Sequence, residues 1–242
     1  MSSSYQESVI PQNQSQPKRA EAMTNILKKN FQKPIKALEI GVWYGIGSTN
    51  IWLQNLEPGS ELVLLDSWKP YASSADIEGV EMRPTYWNYA KMDSLTTDAF
   101  LSAFLNIRKF ENEKNTIDIS LIRGSSSKLL KLIKDESFDF IYIDADHKYE
   151  AVKNDIQNSK RLINKKWGII CGDDLEKKPT PELIYVAKNF KDRDYLKGNY
   201  GFHPGVRLAI SEEFKEVNME NGFWWVYCNN GEFSSSSKSI EK

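Results

Sequence analysis

Glu39-Ile40-Gly41-Val42-Trp43-Tyr44-Gly45-Ile46-Gly47-Ser48 is the stretch on which the fold turns. It closes an aliphatic run that starts at Ile35, just after Pro34, and it leads into Ser48 to Leu56, where Ile51, Trp52 and Leu56 share one helical face. A short strand that passes through glycines directly into an amphipathic helix is the opening of a βαβ unit. Glycines at such a turn let the backbone approach a ligand, and the amides at the start of the next helix favour a carboxylate or phosphate. A tight turn without a ligand is the alternative. The spacing GxxxGxG does not by itself separate a dinucleotide from another adenosine-containing cofactor.

Outward from this turn the alternation continues. Glu57-Pro58-Gly59 ends the helix and a second strand covers Glu61 to Asp66. The next strand-like run is Ile117 to Ile122, so residues 67–116 form an insertion longer than a simple crossover needs. Its first half carries Trp68, Tyr71 and Trp87, and Leu95 to Phe110 has helical spacing. A helix from Ser125 to about Lys134, a strand Phe138 to Asp144, a helix Tyr149 to Ile163 and a strand Trp167 to Gly172 follow. A loop over 175–204 carries a short helix, Val206 to Phe214 is helical, and a strand Gly222 to Cys228 closes the domain. The pattern predicts an α/β fold in one domain spanning 18–232, with a disordered leader over 1–17 and a disordered Ser-rich tail over 233–242.

The composition bounds what such a domain does. The 242 residues, 40% hydrophobic and 12% aromatic, suffice for one substantial core. Lys and Arg number 32 against 33 Asp and Glu, a net charge of -1, which supplies no field to concentrate a polyanion. Nucleic acid and membrane partners are therefore not expected. Cys171 and Cys228 lie in apolar runs and read as packed thiols in a reducing compartment, and the chain reads as cytoplasmic.

Asp66 ends the second strand about twenty residues after the glycine turn, where doubly wound folds place a carboxylate that binds ribose hydroxyls. A third constellation comes from Phe138-Asp-Phe-Ile-Tyr-Ile-Asp144-Ala-Asp146-His147 and Trp167-Gly-Ile-Ile-Cys-Gly-Asp173-Asp174. Ligands of open α/β sheets sit beyond the carboxyl ends of the strands, so Asp144, Asp173 and Asp174 are candidates to converge. Carboxylates brought together repel, and a hard divalent ion, Mg, Mn or Ca rather than zinc, relieves the repulsion. The alternative is that Asp173 and Asp174 cap a turn while Asp144 orients a ligand.

Taken in order, Glu39-x-Gly41-x-x-x-Gly45, Asp66, Arg123-Gly-Ser-Ser126, the stretch ending Asp144-Ala-Asp-His147, and Gly168-Ile-Ile-x-Gly-Asp-Asp174 resemble the motifs of class I S-adenosylmethionine-dependent methyltransferases. Within them the chain is similar to the small metal-dependent O-methyltransferases. The pair Asp173-Asp174, where catechol-type enzymes have Asp-Asn, points to the sugar and natural-product branch. The resemblance implies a Rossmann-like, doubly wound, mostly parallel seven-stranded sheet with an antiparallel C-terminal strand and a helical lid after the second strand.

The resemblance also implies residue roles. The cofactor's methionine moiety would lie against Gly41 and the turn Gly45, Gly47 and Ser48, its ribose on Asp66 and its adenine along Gly124, Ser125 and Ser126, with Glu39 and Asp144 also among the cofactor-binding residues. Asp144, Asp173 and Asp174 would be metal ligands, and His147 or Asp144 the general base. The acceptor would be a hydroxyl of a small molecule, a sugar or natural product, stacked on Trp68, Tyr71 or Trp87, with His203 within reach. A homodimer or higher homo-oligomer is compatible. Two further readings stay open: metal-independent O- or N-methylation with His147 as base, and an NAD-binding oxidoreductase or non-catalytic nucleotide-binding module.

Overall fold

The computed structural model describes residues 16–70, 92–197 and 200–237. Tyr71, Trp87, most of the leader and the end of the tail lie outside the described residues. In chain order the elements are α1 (Pro17–Asn30), β1 (Lys36–Ile40), α2 (Ser48–Asn55), β2 (Glu61–Asp66), α3 (Met92–Glu113), β3 (Asp118–Arg123) and α4 (Ser126–Leu129). Then come β4 (Phe140–Ile143), α5 (Tyr149–Leu162), β5 (Trp167–Leu175), α6 (Pro181–Phe190), β6 (Tyr195–Lys197) and β7 (Tyr200–Phe202). The chain ends with α7 (Pro204–Glu213), β8 (Asn218–Glu220), β9 (Gly222–Asn229) and β10 (Glu232–Ser234).

The main sheet runs β10-β9-β5-β4-β1-β2-β3, with β8 also paired to β9. Strands β3, β2, β1, β4 and β5 are parallel neighbours, and β9 lies antiparallel to β5. The expected doubly wound architecture is present. Eight strands replace the expected seven, because Asn218–Glu220 and Glu232–Ser234 both pair antiparallel with β9. The start of the expected disordered tail is thus an ordered strand.

Strand side chains alternate between two cores, as period 2 requires. Ala37, Leu62, Leu64, Phe140, Tyr142, Ile169 and Cys171 face the core shared with α1, α2 and α3. Leu38, Ile40, Leu65, Ile141, Ile143 and Ile170 face the core shared with α5, α6 and α7. Both faces being covered explains the near-continuous apolar strands.

Three elements extend or differ from the sequence expectation. Helix α1 is a packed element with Pro17 in its first turn and Ala22, Met23, Ile26 and Leu27 buried. Helix α3 serves as the crossover from β2 to β3, with Ala99, Ala103, Ile107 and Phe110 buried in the core, while residues 71–91 of the expected lid lie outside the described residues. Strand β5 runs three residues beyond Gly172 through an irregular register, so Asp173 and Asp174 sit inside a bulged strand and not past its end. Among the described residues no helix is long and apolar enough to cross a membrane.

Candidate functional site

The glycine turn is built by contacts within the fold. A Cβ on Gly41, whose φ is +92°, would lie 1.8 Å from the Asp144 carbonyl oxygen, so the ends of β1 and β4 touch only because that residue is glycine. A Cβ on Gly45 would meet Ala103 of α3 at 2.8 Å, whereas one on Gly47 meets nothing within 4 Å. The close approach expected for a ligand at Gly41 and Gly45 is therefore made by backbone and helix, and the open side of the turn is at Gly47. Helix α2 starts there without a side-chain cap, leaving its first turn suited to an anion.

Two carboxylates hold this turn. Glu39 is fully buried; Ser48 Oγ donates to its Oε1 at 2.5 Å and Thr49 Oγ1 to its Oε2 at 2.8 Å. Burial first of all lifts its carboxyl to about 8. Glu39 and the Ser48 hydroxyl thus shape the turn from behind. Asp66 Oδ2 accepts the amides of Val42 and Trp43 at 2.9 Å each, and its Oδ1 accepts the Trp68 amide at 2.7 Å. Its remaining acceptor capacity, on Oδ1, fits a ribose hydroxyl.

Trp68 is 2% exposed and its indole N–H donates to the Trp43 carbonyl at 2.8 Å. It braces the glycine turn, which corrects its expected place as a stacking face for substrate. Gly124 follows β3, its amide donating to the Asp66 carbonyl at 2.8 Å, and Ser125 precedes α4. Gly124, Ser125 and Ser126 so lie beside the end of β2, where an adenosine bound at Asp66 would extend.

The acidic groups separate according to strand geometry. Asp144, Asp146, His147, Asp173 and Asp174 line one pocket with Val206 and Trp224. Consecutive residues of a strand point to opposite faces. Asp173 shares the face of Cys171 and meets Arg19 of α1, whose Nη1 donates to Asp173 Oδ2 at 2.6 Å. Arg19 Nε also donates to the Asn221 carbonyl at 2.9 Å. Asp174, held at φ +64°, turns instead to the histidines. His147 Nε2 lies 3.0 Å from Asp174 Oδ2 and His147 Nδ1 lies 3.1 Å from Asp194 Oδ1. His203, at the start of α7, has Nδ1 2.6 Å from Glu176 Oε1 and 3.9 Å from Asp174 Oδ1. The two imidazole rings are 4.2 Å apart. Among the described residues, the set whose ligand atoms all lie within 4.8 Å of one another is His147, Asp174 and His203, not the three aspartates.

The electrostatics follow the same partition. Burial, then Asp173 and Asp174, push Asp144 up to about 8, while Tyr142 donates to its Oδ2 at 3.0 Å. Burial and Asp174 lift Asp173 to about 6 against the pull of Arg19. Burial would raise Asp174, but His203 and His147 hold it well below the usual carboxylate range. Burial disfavours a charge on His147, yet Asp174 and Asp194 outweigh it and hold the ring protonated well above its ordinary range. In that state His147 donates to both carboxylates.

Arg19, Asp194, Glu176 and Tyr142 are site residues that no sequence motif marked. Tyr142 alone had a usable signal, standing two residues before Asp144 on the same strand face.

Residues 38–175 match a family described as a methyltransferase domain. The chain belongs to this family, and the class I S-adenosylmethionine-dependent methyltransferase architecture expected from the motifs is the one observed. The reading as an NAD-dependent enzyme or a non-catalytic module gives way to it. A candidate O-methyltransferase from Klebsiella pneumoniae has a similar structure, with a TM-score of 0.50 and 16% identity over 90% of this chain and 83% of that one. The Bacillus cereus O-methyltransferase in complex with S-adenosylhomocysteine has a TM-score of 0.46, at 17% identity over 90% and 83%. A TDP-rhamnose 3'-O-methyltransferase of calicheamicin biosynthesis has a TM-score of 0.46, at 14% identity over 85% and 76%. No curated protein matches the chain.

Proposed function

We propose that this methyltransferase transfers a methyl group to a hydroxyl of a small molecule, a sugar or a related natural product, with help from a divalent metal ion. The observation that carries the reading is the pocket at the carboxyl ends of β4 and β5, where Asp144, His147 and Asp174 meet beside the glycine turn. A sulfonium cofactor brings an already activated methyl group, and a metal ion on the acceptor hydroxyl lowers its pKa and fixes its direction. The chain's own residues align the acceptor and remove its proton. Asp144 is suited to take that proton: it lines the pocket, and Tyr142 fixes it by donating to its Oδ2 at 3.0 Å. His147, fixed between Asp174 and Asp194, lines the same pocket and is suited to help hold the acceptor or the ion in place.

The preference for a sugar rests on Asp173-Asp174 resembling the natural-product branch. The two unpaired, buried cysteines suit a reducing, cytoplasmic setting. Turnover is to be assayed with S-adenosylmethionine against nucleotide-linked sugars and catechols. Asp174→Ala should remove at least 100-fold of the activity while S-adenosylhomocysteine binds with little change. Full activity in excess chelator counts against the metal, and methylation confined to amines counts against the hydroxyl acceptor.

A further inference from the structure

We propose that His147, Asp174 and His203 form a site for one divalent transition-metal ion of the Mn, Co, Ni or Zn class, with Asp194 behind the two imidazoles. The proposal stands on metal binding alone and so does not depend on the acceptor or on methyl transfer.

The geometry is that of a ligand set. Metal–nitrogen and metal–oxygen bonds of about 2.0–2.2 Å place neighbouring ligand atoms roughly 2.8–3.1 Å apart in octahedral and roughly 3.3–3.6 Å apart in tetrahedral surroundings. His147 Nε2 and Asp174 Oδ2 are 3.0 Å apart, and His203 Nδ1 and Asp174 Oδ1 are 3.9 Å apart, within reach of small side-chain rotations. Two imidazoles and one carboxylate favour a borderline transition ion, whereas Mg and Ca prefer all-oxygen sites. A ligating histidine usually has its other ring nitrogen held by a carboxylate: His147 has Asp194 on Nδ1 at 3.1 Å, and Asp194 Oδ1 is also the carboxylate nearest His203 Nε2, at 3.8 Å, while the Glu176 contact on His203 Nδ1 would give way to the ion.

The backbone is shaped to bring these groups together. The bulge in β5 turns Asp174 away from Arg19 and towards the histidines. Gly205 lets the start of α7 lie against the β4–α5 loop, since a Cβ there would be 2.1 Å from the His147 carbonyl oxygen. His203, two residues earlier, is thereby set beside His147. Asp173, engaged by Arg19, is left out of the set.

The test is calorimetric titration of the chelator-stripped, full-length protein with Mn, Co, Zn and Mg ions separately, without cofactor. One equivalent of Co or Zn should bind at least 100-fold more tightly than Mg. His203→Gln should weaken Co binding at least 100-fold, and Asp173→Asn less than tenfold, with thermal melts verifying that both variants fold. Pulsed EPR on the unaltered protein loaded with Mn should show imidazole nitrogen coupling, a readout that needs no variant. Equal affinity for Mg and Co, absence of nitrogen coupling, or binding lost in Asp173→Asn but kept in His203→Gln would overturn the proposal.

Discussion

Replacing Arg19 by alanine should destabilise the protein by about 3 kcal/mol, although Arg19 stands at the far end of the chain from the sheet residues it serves. Its guanidinium lies 2.6 Å from Asp173 Oδ2, with side-chain exposures of 14% and 10%, so solvent screening removes little of the interaction. Truncation leaves the Asp173 carboxylate buried beside Asp174 with no cation facing it and also frees the Asn221 carbonyl. Breaking such a pair from one side costs about 3–5 kcal/mol, most of it the penalty of the abandoned charge. For a chain of this size a loss of about 3 kcal/mol is a fall in melting temperature of roughly 6–12 °C. The assay is a double-mutant cycle of Arg19→Ala and Asp173→Asn, followed by thermal and urea unfolding of metal-free protein. Because Asp173→Asn removes the stranded charge, the double variant should be more stable than Arg19→Ala alone, with a coupling of about 2 kcal/mol or more. A coupling below about 0.5 kcal/mol would refute the reasoning, since Arg19 would then be a surface cation and α1 would be held by its apolar face alone.

Glu39→Gln should change how stability depends on pH. The folded carboxyl is raised to about 8 from an ordinary 4.5, so the fold favours the protonated form and stability falls as pH rises from about 4.5 to about 8. Glutamine has no such slope, so melting curves from pH 5 to 9 should separate in its favour by a few kcal/mol; parallel curves would show that Glu39 ionises freely. Gly205→Ala places a methyl 2.1 Å from the His147 carbonyl oxygen and 2.5 Å from that of Lys191. It should cost about 1–3 kcal/mol in unfolding and weaken Co binding at least tenfold, and an unchanged affinity would mean that α7 does not set His203. Asp66→Asn keeps one acceptor oxygen where three backbone amides now converge on two. Calorimetry should find S-adenosylhomocysteine bound at least tenfold more weakly, and unaltered affinity would detach Asp66 from the cofactor site.

What the sequence determined by itself is what short-range periodicity encodes. The runs around Leu38, Leu64, Ile141 and Ile170 are apolar on both strand faces, and the glycines after Glu39 interrupt a strand where a helix must start, so parallel βαβ order and the turn are local properties. The positions of Asp144 and His147 just past the end of β4 were legible for the same reason. Which of the charged groups meet was not. Asp173 and Asp174 are adjacent in sequence, but the bulge and the strand alternation send one to Arg19, 154 positions away, and the other to His147 and His203. Asp194 and Glu176 reach those histidines only because α6, the β6–β7 ribbon and α7 pack back over the end of β5. Electrostatic partners lie tens to more than a hundred residues apart and depend on how helices dock, a property of the assembled cores that no local spacing carries.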